Sequence, residues 1–363
     1  MTALTTWILP STFIRRSRML PVPGEVMVRP GQIVHPPDTV AQASVSLKHY
    51  MVDVYRSLGA ASPAAAEKLV PYKPGHRLEH QDIIAETGGM FSRVVRTPGP
   101  GTILSTKGGK VLIEAESQRL TVKAGLSGRV SEIIADRGIM IDFHGALVQG
   151  VWGNGQTGCG MLNADPASLA DRLGPATLGF NSRGAVVLAG WCDSADVLNT
   201  AAADGIAGLI LGSLPARLIP QALAQPYPVL VLGGFGLFGL DEISKTTLFE
   251  FSGSEISLNC IRWDRLSGDR PEAYIALGRE GEAAVDPDDF APGQTVRVNS
   301  GPFCGKIGVI DRIIPGLSLL ASGLRVSAAN VSVDEKIGEV IPLANLDIIQ
   351  TGDVTRMVPG EGG

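Results

Sequence analysis

The sequence predicts a multidomain, β-rich α+β chain: a β-barrel domain over residues 20–160, a small α/β domain with a parallel sheet over 165–262, and a small β-barrel over 285–352. Three observations predict it. Glycine and proline are abundant, 45 and 24 of 363 residues, and in the outer stretches they separate short alternating runs, as tight turns separate short strands. In the middle stretch, apolar β-branched runs alternate with helical patterns, the signature of βαβ units. The length exceeds what one ordinary core holds, so two to three domains are expected.

In the first region, residues 28–44 (VRPGQIVHPPDTVAQAS) and 72–88 (YKPGHRLEHQDIIAETG) share the phrase x-[RK]-P-G-x-x-[VL]-x-x-x-D-x-[VI]-A. Pro-Gly makes a turn, the next apolar residues alternate as in a half-buried strand, and the Asp marks a second turn. Between the echoes, residues 46–59 carry apolar positions near helical spacing and predict a short helix. Residues 93–114 read as strand, Pro-Gly corner and a hairpin around Lys107-Gly108-Gly109; residues 120–143 repeat strand, Gly turn, strand. The phrasing resembles the barrel-sandwich hybrid fold of biotinyl and lipoyl domains, and more closely the hybrid-barrel segments of RnfC-type redox-complex subunits. Gly75, Leu78, Asp82, Ile84, Ala85, Phe91, Pro98, Gly101 and Ile103 carry the resemblance. It implies a hybrid β-barrel. A carrier domain also needs a modified lysine at a hairpin tip; Lys107 and Lys123 lack that context and read as surface turn lysines.

In the second region, 184–191 (GAVVLAGW), 209–213 (LILGS) and 227–234 (YPVLVLGG) are apolar runs suited to strands covered on both faces. Helices are expected after each: one capped by Asp193 or Ser194 and stopped at Gly205, one over 214–226 shortened by Pro220, and one over 240–251. Residues 256–263 offer a fourth strand. Residues 150–160 (GVWGNGQTGCG) read as a linker whose Trp152 packs between domains, and 264–293 as a charged, turn-rich connector.

In the third region, 293–313 (GQTVRVNSGPFCGKIGVIDRI) is strand, Gly-Pro turn, strand, and 325–349 supplies further strands. Gly293, Val296, Val298, Gly301, Pro302, Phe303, Gly305, Gly308 and Ile310 resemble the KOW motif of NusG-like and ribosomal-protein SH3-like barrels. The resemblance implies an SH3-like barrel with Phe303 plugging its mouth, closed by 341–349, and contact with RNA, ribosome or RNA polymerase.

The candidate sites follow from these elements. Gly234, Gly236 and Gly239 spell G-x-G-x-x-G, the dinucleotide fingerprint. That fingerprint needs a first strand before it, a helix directly after it, and an acid about 20 residues on at a strand end. Here it follows the third strand, Phe238 and Leu240 crowd it, and Glu255 precedes the next strand. Close packing of a glycine-rich strand end is the expectation. Gly212 and Ser213 sit where a strand meets a helix N-terminus, a place that attracts anions, with Arg217 nearby. His76 and His80 have metal-pair spacing but fall in a strand-and-turn pattern without a third ligand. No nucleophile elbow, zincin or P-loop motif occurs, so no catalytic residue, metal or cofactor is assigned.

The four cysteines are far apart, as in a reducing compartment; no secretory signal or apolar run of spanning length occurs, and a cytoplasmic protein is expected. A net charge of −5 argues against broad nucleic-acid binding. Between 293 and 349, Arg297, Lys306, Arg312, Arg325 and Lys336 balance Asp311, Asp334, Glu335, Glu339 and Asp347. RNA binding there is expected to be weak. The expected function is a non-catalytic scaffold or binding protein in a protein assembly or homo-oligomer, with Phe303, Arg297, Lys306, Arg325 and Trp152 facing the partner. The alternatives are a nucleotide-binding enzyme or redox-complex subunit and an RNA- or polymerase-associated factor.

Overall fold

The computed structural model describes residues 4–45, 48–88, 92–164, 171–179, 182–264, 269–277, 283, 289–320, 322–334 and 336–352. The chain is β-rich and multi-sheet. Its first part holds β1 (Leu4–Met19), β2 (Glu25–Val26), β3 (Ile33–Val34), β4 (Thr39–Val45), β5 (His49–Asp53), α1 (Val54–Leu58), α2 (Pro63–Glu67), β6 (Arg77–Leu78), β7 (Ile83–Glu86), β8 (Val94–Arg96), β9 (Gly101–Ser105), β10 (Lys110–Ala115), β11 (Gln118–Lys123), β12 (Gly128–Ile134) and β13 (Gly138–Gln149). Of the helix expected over 46–59, the second half forms as α1 and the first half is the strand β5, with 46–47 outside the described residues. Residues 49–53 pair with β10, and only then does Asp53 cap one helical turn, accepting from Arg56 N at 3.0 Å; Gly59 ends it in the left-handed region. Phe91 lies outside the described residues.

The two echoing phrases fold alike. Asp38 accepts from His35 N at 2.8 Å, and Asp82 from Glu79 N at 2.7 Å. Gly31 N donates to Val130 O, and Gly75 N to Ile103 O. β3 pairs with β12 as β6 pairs with β9. β4 pairs with β11 across an irregularity at Val40, and β7 with β8 across one at Ile84; both residues are fully buried. A Cβ on Gly128 would lie 2.5 Å from Asp142 O, and one on Gly101 2.2 Å from Glu114 O. The end of β1 pairs with β13 as β5 pairs with β10, and a cross-strand base–acid pair recurs, Arg15–Asp142 and His49–Glu114. A complete unit, β5 to β10, is therefore inserted between β4 and β11 of a second unit of the same design.

The middle part holds β14 (Trp152–Gly153), β15 (Thr157–Asn163), β16 (Ala185–Trp191), α3 (Ala195–Asp204), β17 (Gly208–Ser213), α4 (Ile219–Leu223), β18 (Val229–Gly234), α5 (Glu242–Glu250), β19 (Glu255–Asn259) and β20 (Glu272–Ala276). β15, β16, β17 and β18 are parallel neighbours. Alternate residues serve the two faces: Val187, Ala189, Leu209 and Val229 pack under α3 and α4, while Val186, Leu188, Ile210 and Leu230 pack under α5. Two expectations change here. The glycine-rich 150–160 stretch is not a linker but contains β14 and the first residues of β15. Its glycines permit close approach: a Cβ on Gly160 would lie 2.5 Å from Gly184 O, and one on Gly153 2.5 Å from Cys260 O. The connector expected over 264–293 contains β20, a largely buried strand between β13 and β19; 265–268, 278–282 and 284–288 lie outside the described residues.

The last part holds β21 (Thr295–Val298), β22 (Ile307–Ile313), β23 (Ser318–Leu319), β24 (Arg325–Val326), β25 (Ala328–Val333), β26 (Lys336–Pro342), a 3₁₀ turn (Leu343–Asn345) and β27 (Leu346–Gln350). One ladder runs β14-β18-β17-β16-β15-β19-β20-β13-β1-β27-β21-β22-β25-β26. β27 bonds to β21 on one edge and to β1 on the other, so the last strands continue the large sheet; among the described residues no ladder closes into a ring. Among the described residues β23 and β24 pair only with each other, as a hairpin.

Candidate functional site

The glycine motif lies at the end of β18, where the Phe238 ring lies against Gly234 and Gly236, Ser213 bonds the Phe238 backbone, and Gly212 packs on the Gly239 backbone. Ser213 Oγ accepts from Phe238 N at 2.9 Å and bonds Phe238 O at 2.6 Å. A Cβ on Gly212 would lie 2.5 Å from Gly239 O, and one on Gly236 2.8 Å from the Phe238 ring. The ring reaches the last part of the chain: a Cβ on Gly305 would lie 2.5 Å from it. The space beside Gly233 and Gly236 is thus occupied by the protein's own phenyl ring and that beside Gly212 by the Gly239 backbone, and α5 begins only after Asp241.

Arg297, expected at the surface, is wholly buried. Its Nη2 donates to Asp241 Oδ2 at 2.8 Å and its Nη1 to Leu232 O at 2.8 Å. Asp241 also caps α5, accepting from Ser244 N and Ser244 Oγ, each at 2.8 Å. Arg297 therefore ties β21 to the middle sheet and is not presented to an outside partner. Lys306 stays at the surface beside Asp334 at 3.6 Å, and Lys336 lies 5.1 Å from the centre of the half-buried Phe303 ring. Arg325 is exposed on β24. Glu335 lies outside the described residues. Around these groups the apolar exposure is high: Leu317, Leu319 and Leu324 on the β23–β24 hairpin are 62, 66 and 63% exposed, and Ile337 on the edge strand β26 is 87% exposed. Trp152 is elsewhere, on β14, edge-on to the exposed Phe235 at 6.4 Å.

A cleft beside β1 holds functional-type residues that the sequence reading missed. Arg16 forks onto Glu272 through Nε at 3.0 Å and Nη2 at 2.7 Å. Gln149 Nε2 donates to Glu272 at 2.8 Å, and Tyr274 OH bonds its other oxygen. Burial opposes ionisation of Glu272, but Arg16, with the bonds from Gln149 and Tyr274, outweighs it and holds the carboxyl below its ordinary range. Burial, then the charge of Glu272, pushes the Tyr274 phenol up. Arg15 forks onto Asp142 at 2.6 and 3.0 Å, Arg270 Nη1 donates to Thr6 at 2.9 Å, and the Arg16 guanidinium lies 5.6 Å from the Trp7 ring centre. The only signal in the sequence was the cationic stretch after residue 14; its acidic partner stands 256 positions away.

His76 stacks on Tyr72 at 4.3 Å, and among the described residues no three His, Cys, Asp or Glu side chains form a metal-ligating group. At the hairpin tip beside Lys107, Gly108 N bonds Glu67 of α2. No described helix is long and apolar enough to cross a membrane. No protein-family model matches this chain, and no curated protein matches it.

Proposed function

We propose that this chain is a non-catalytic binding or scaffold protein, working in a protein assembly through its C-terminal strands. The observation that carries the reading is the β23–β24 hairpin, whose Leu317, Leu319 and Leu324 are each more than 60% exposed. Exposed apolar clusters of this kind mark interaction surfaces. The order β27-β21-β22-β25-β26, with the 3₁₀ turn before the last strand, supports reading this part as an SH3-like module. The nested units of the first part likewise support a barrel-sandwich-hybrid reading. A cytoplasmic setting suits the four free thiols. The nucleotide reading has less support because Phe238 fills the glycine loop. The RNA reading has less because Arg297 is spent on a buried pair, leaving fewer cations for phosphates.

The test is affinity capture of the full-length tagged chain from its native cells, with and without nuclease, beside a Leu317→Ser/Leu319→Ser/Leu324→Ser variant. A protein retained after nuclease and lost from the variant is expected. Captured material that disappears with nuclease, or is indifferent to the three leucines, would overturn the reading.

A further inference from the structure

The cleft beside β1, about 360 Å³, is open to solvent yet lined by polar side chains that are otherwise buried: Gln149, Arg270 and Glu272 are 6, 7 and 4% exposed. A cavity on which a few placed polar groups converge is the form a small-molecule site takes. The cleft has a definite chemistry. Glu272 accepts from Arg16 twice, from Gln149 and from Tyr274, which uses about all the lone pairs a carboxylate has. It therefore offers the cleft little acceptor capacity. Arg16 and Arg15 each spend their Nε and Nη2 on a carboxylate, and each guanidinium has five N–H groups in a fixed fork. Arg16 Nη1 makes one long bond, to Arg15 O at 3.3 Å. The remaining donors are held in place before any ligand arrives.

We infer that this cleft binds a carboxylate carried on a flat apolar group. Arg15, Arg16 and Arg270 are balanced by Asp142, Asp269 and Glu272, so the preference for a carboxylate comes from the fixed donors of Arg15 and Arg16 and not from net charge. A phosphate dianion would bring twice the charge up against Asp142, Asp269 and Glu272. The guanidinium fork matches the planar, two-oxygen geometry of a carboxylate, and Trp7 on the cleft wall supplies a flat apolar surface for the body that carries it. The site is independent of the C-terminal hairpin and goes beyond the scaffold reading.

The test uses the full chain labelled with 5-fluorotryptophan, whose ¹⁹F resonance for Trp7 is identified by Trp7→Phe. Benzoate is titrated, with benzamide as its neutral counterpart and inorganic phosphate as a shape control. Saturable movement of the Trp7 resonance by benzoate is expected, with a dissociation constant of about 1 mM or tighter for so small a ligand. Arg15→Gln should weaken it about fivefold or more with only a small fall in the melting temperature, because the Arg15 side chain is 49% exposed and the Asp142 side chain 22%. Replacing Arg16 would leave Glu272 buried and unpaired, so Arg15→Gln carries the test. No response to benzoate at about 20 mM, an equal response to benzamide, tighter binding of phosphate, or an unchanged affinity in Arg15→Gln would each overturn the inference.

Discussion

Removing Asp241 should destabilise the protein far more than any surface charge change. Arg297 is wholly buried and the Asp241 side chain is 2% exposed, so Asp241→Ala strands a guanidinium in the interior. Breaking a buried pair from one side costs about 3–5 kcal/mol. Asp241 also caps α5 through Ser244 N, and losing a cap adds about 1 kcal/mol. The expected loss is about 4–6 kcal/mol, a large share of the roughly 5–15 kcal/mol that holds a typical native fold. Urea denaturation of the full chain, followed by circular dichroism, reads it. The companion variant Asp241→Ser/Arg297→Met removes both charges, keeps a capping hydroxyl and fills the space of the arginine stem. It should recover to within about 2 kcal/mol of the parent, because neutral replacement of a buried pair is often tolerated. The Leu232 carbonyl, which loses its Arg297 donor, accounts for the remainder. A cost below about 1 kcal/mol for Asp241→Ala would mean that water reaches the pair, and the buried-tie argument would fail. A double variant as unstable as the single would locate the loss in packing instead of charge.

Gly305→Ala should lower stability by about 2 kcal/mol or more, since φ is +82° and the added methyl meets the Phe238 ring; adding Phe238→Ala should relieve only the steric part, as a double-mutant cycle will read. Gly101→Val and Gly128→Val should each be strongly destabilising in thermal melts, because both meet a backbone carbonyl that cannot step aside; a tolerated change at either would break the proposed equivalence of the nested units. Glu272 has a folded pKa below its unfolded value, so its stabilisation is present above about pH 4.5 and is lost as the pH falls through the folded value; denaturant midpoints from pH 6 to 3 should fall more steeply in the parent than in Glu272→Gln. Of the four free thiols, the half-buried Cys159 and Cys304 should react with a disulfide reagent in the native protein, while Cys192 and Cys260, buried and with their thiols pushed up by that burial, should react only on unfolding.

Local structure was legible where a local cause decides it. Gly205 ends α3 because a left-handed residue acts within one helical turn, and Ser194 stands at the helix start as extended backbone with no side-chain capping bond. The apolar runs of β16, β17 and β18 had to be covered on both faces, and they are. The Pro-Gly phrases were audible as an echo because each turn is written in consecutive residues. The other half of each unit was not: Gly101 and Gly128 have equivalent roles, but the strands around them share almost no letters. The nesting shows only in the pairings.

Arg297 shows how a correct local rule gives a wrong site. In the run Thr295–Val298, alternation sends Val296 and Val298 to one face and Arg297 to the other. Sequence alone reads that other face as solvent and the arginine as a partner-binding cation. Here the same face is covered, because β27 joins β21 to β1 and carries the strands up to the middle sheet, where Asp241 waits at the start of α5. The same covering leaves all of Leu346, Asp347, Ile348 and Ile349 buried, where a strand with one wet face would alternate. The arginine pair on β1 fails to announce itself for the same reason: Arg16 and Glu272 are brought together by β13, which pairs with both their strands. The charges that matter in this protein are those whose strands acquired a second covered face, and that property belongs to the topology and not to any single segment.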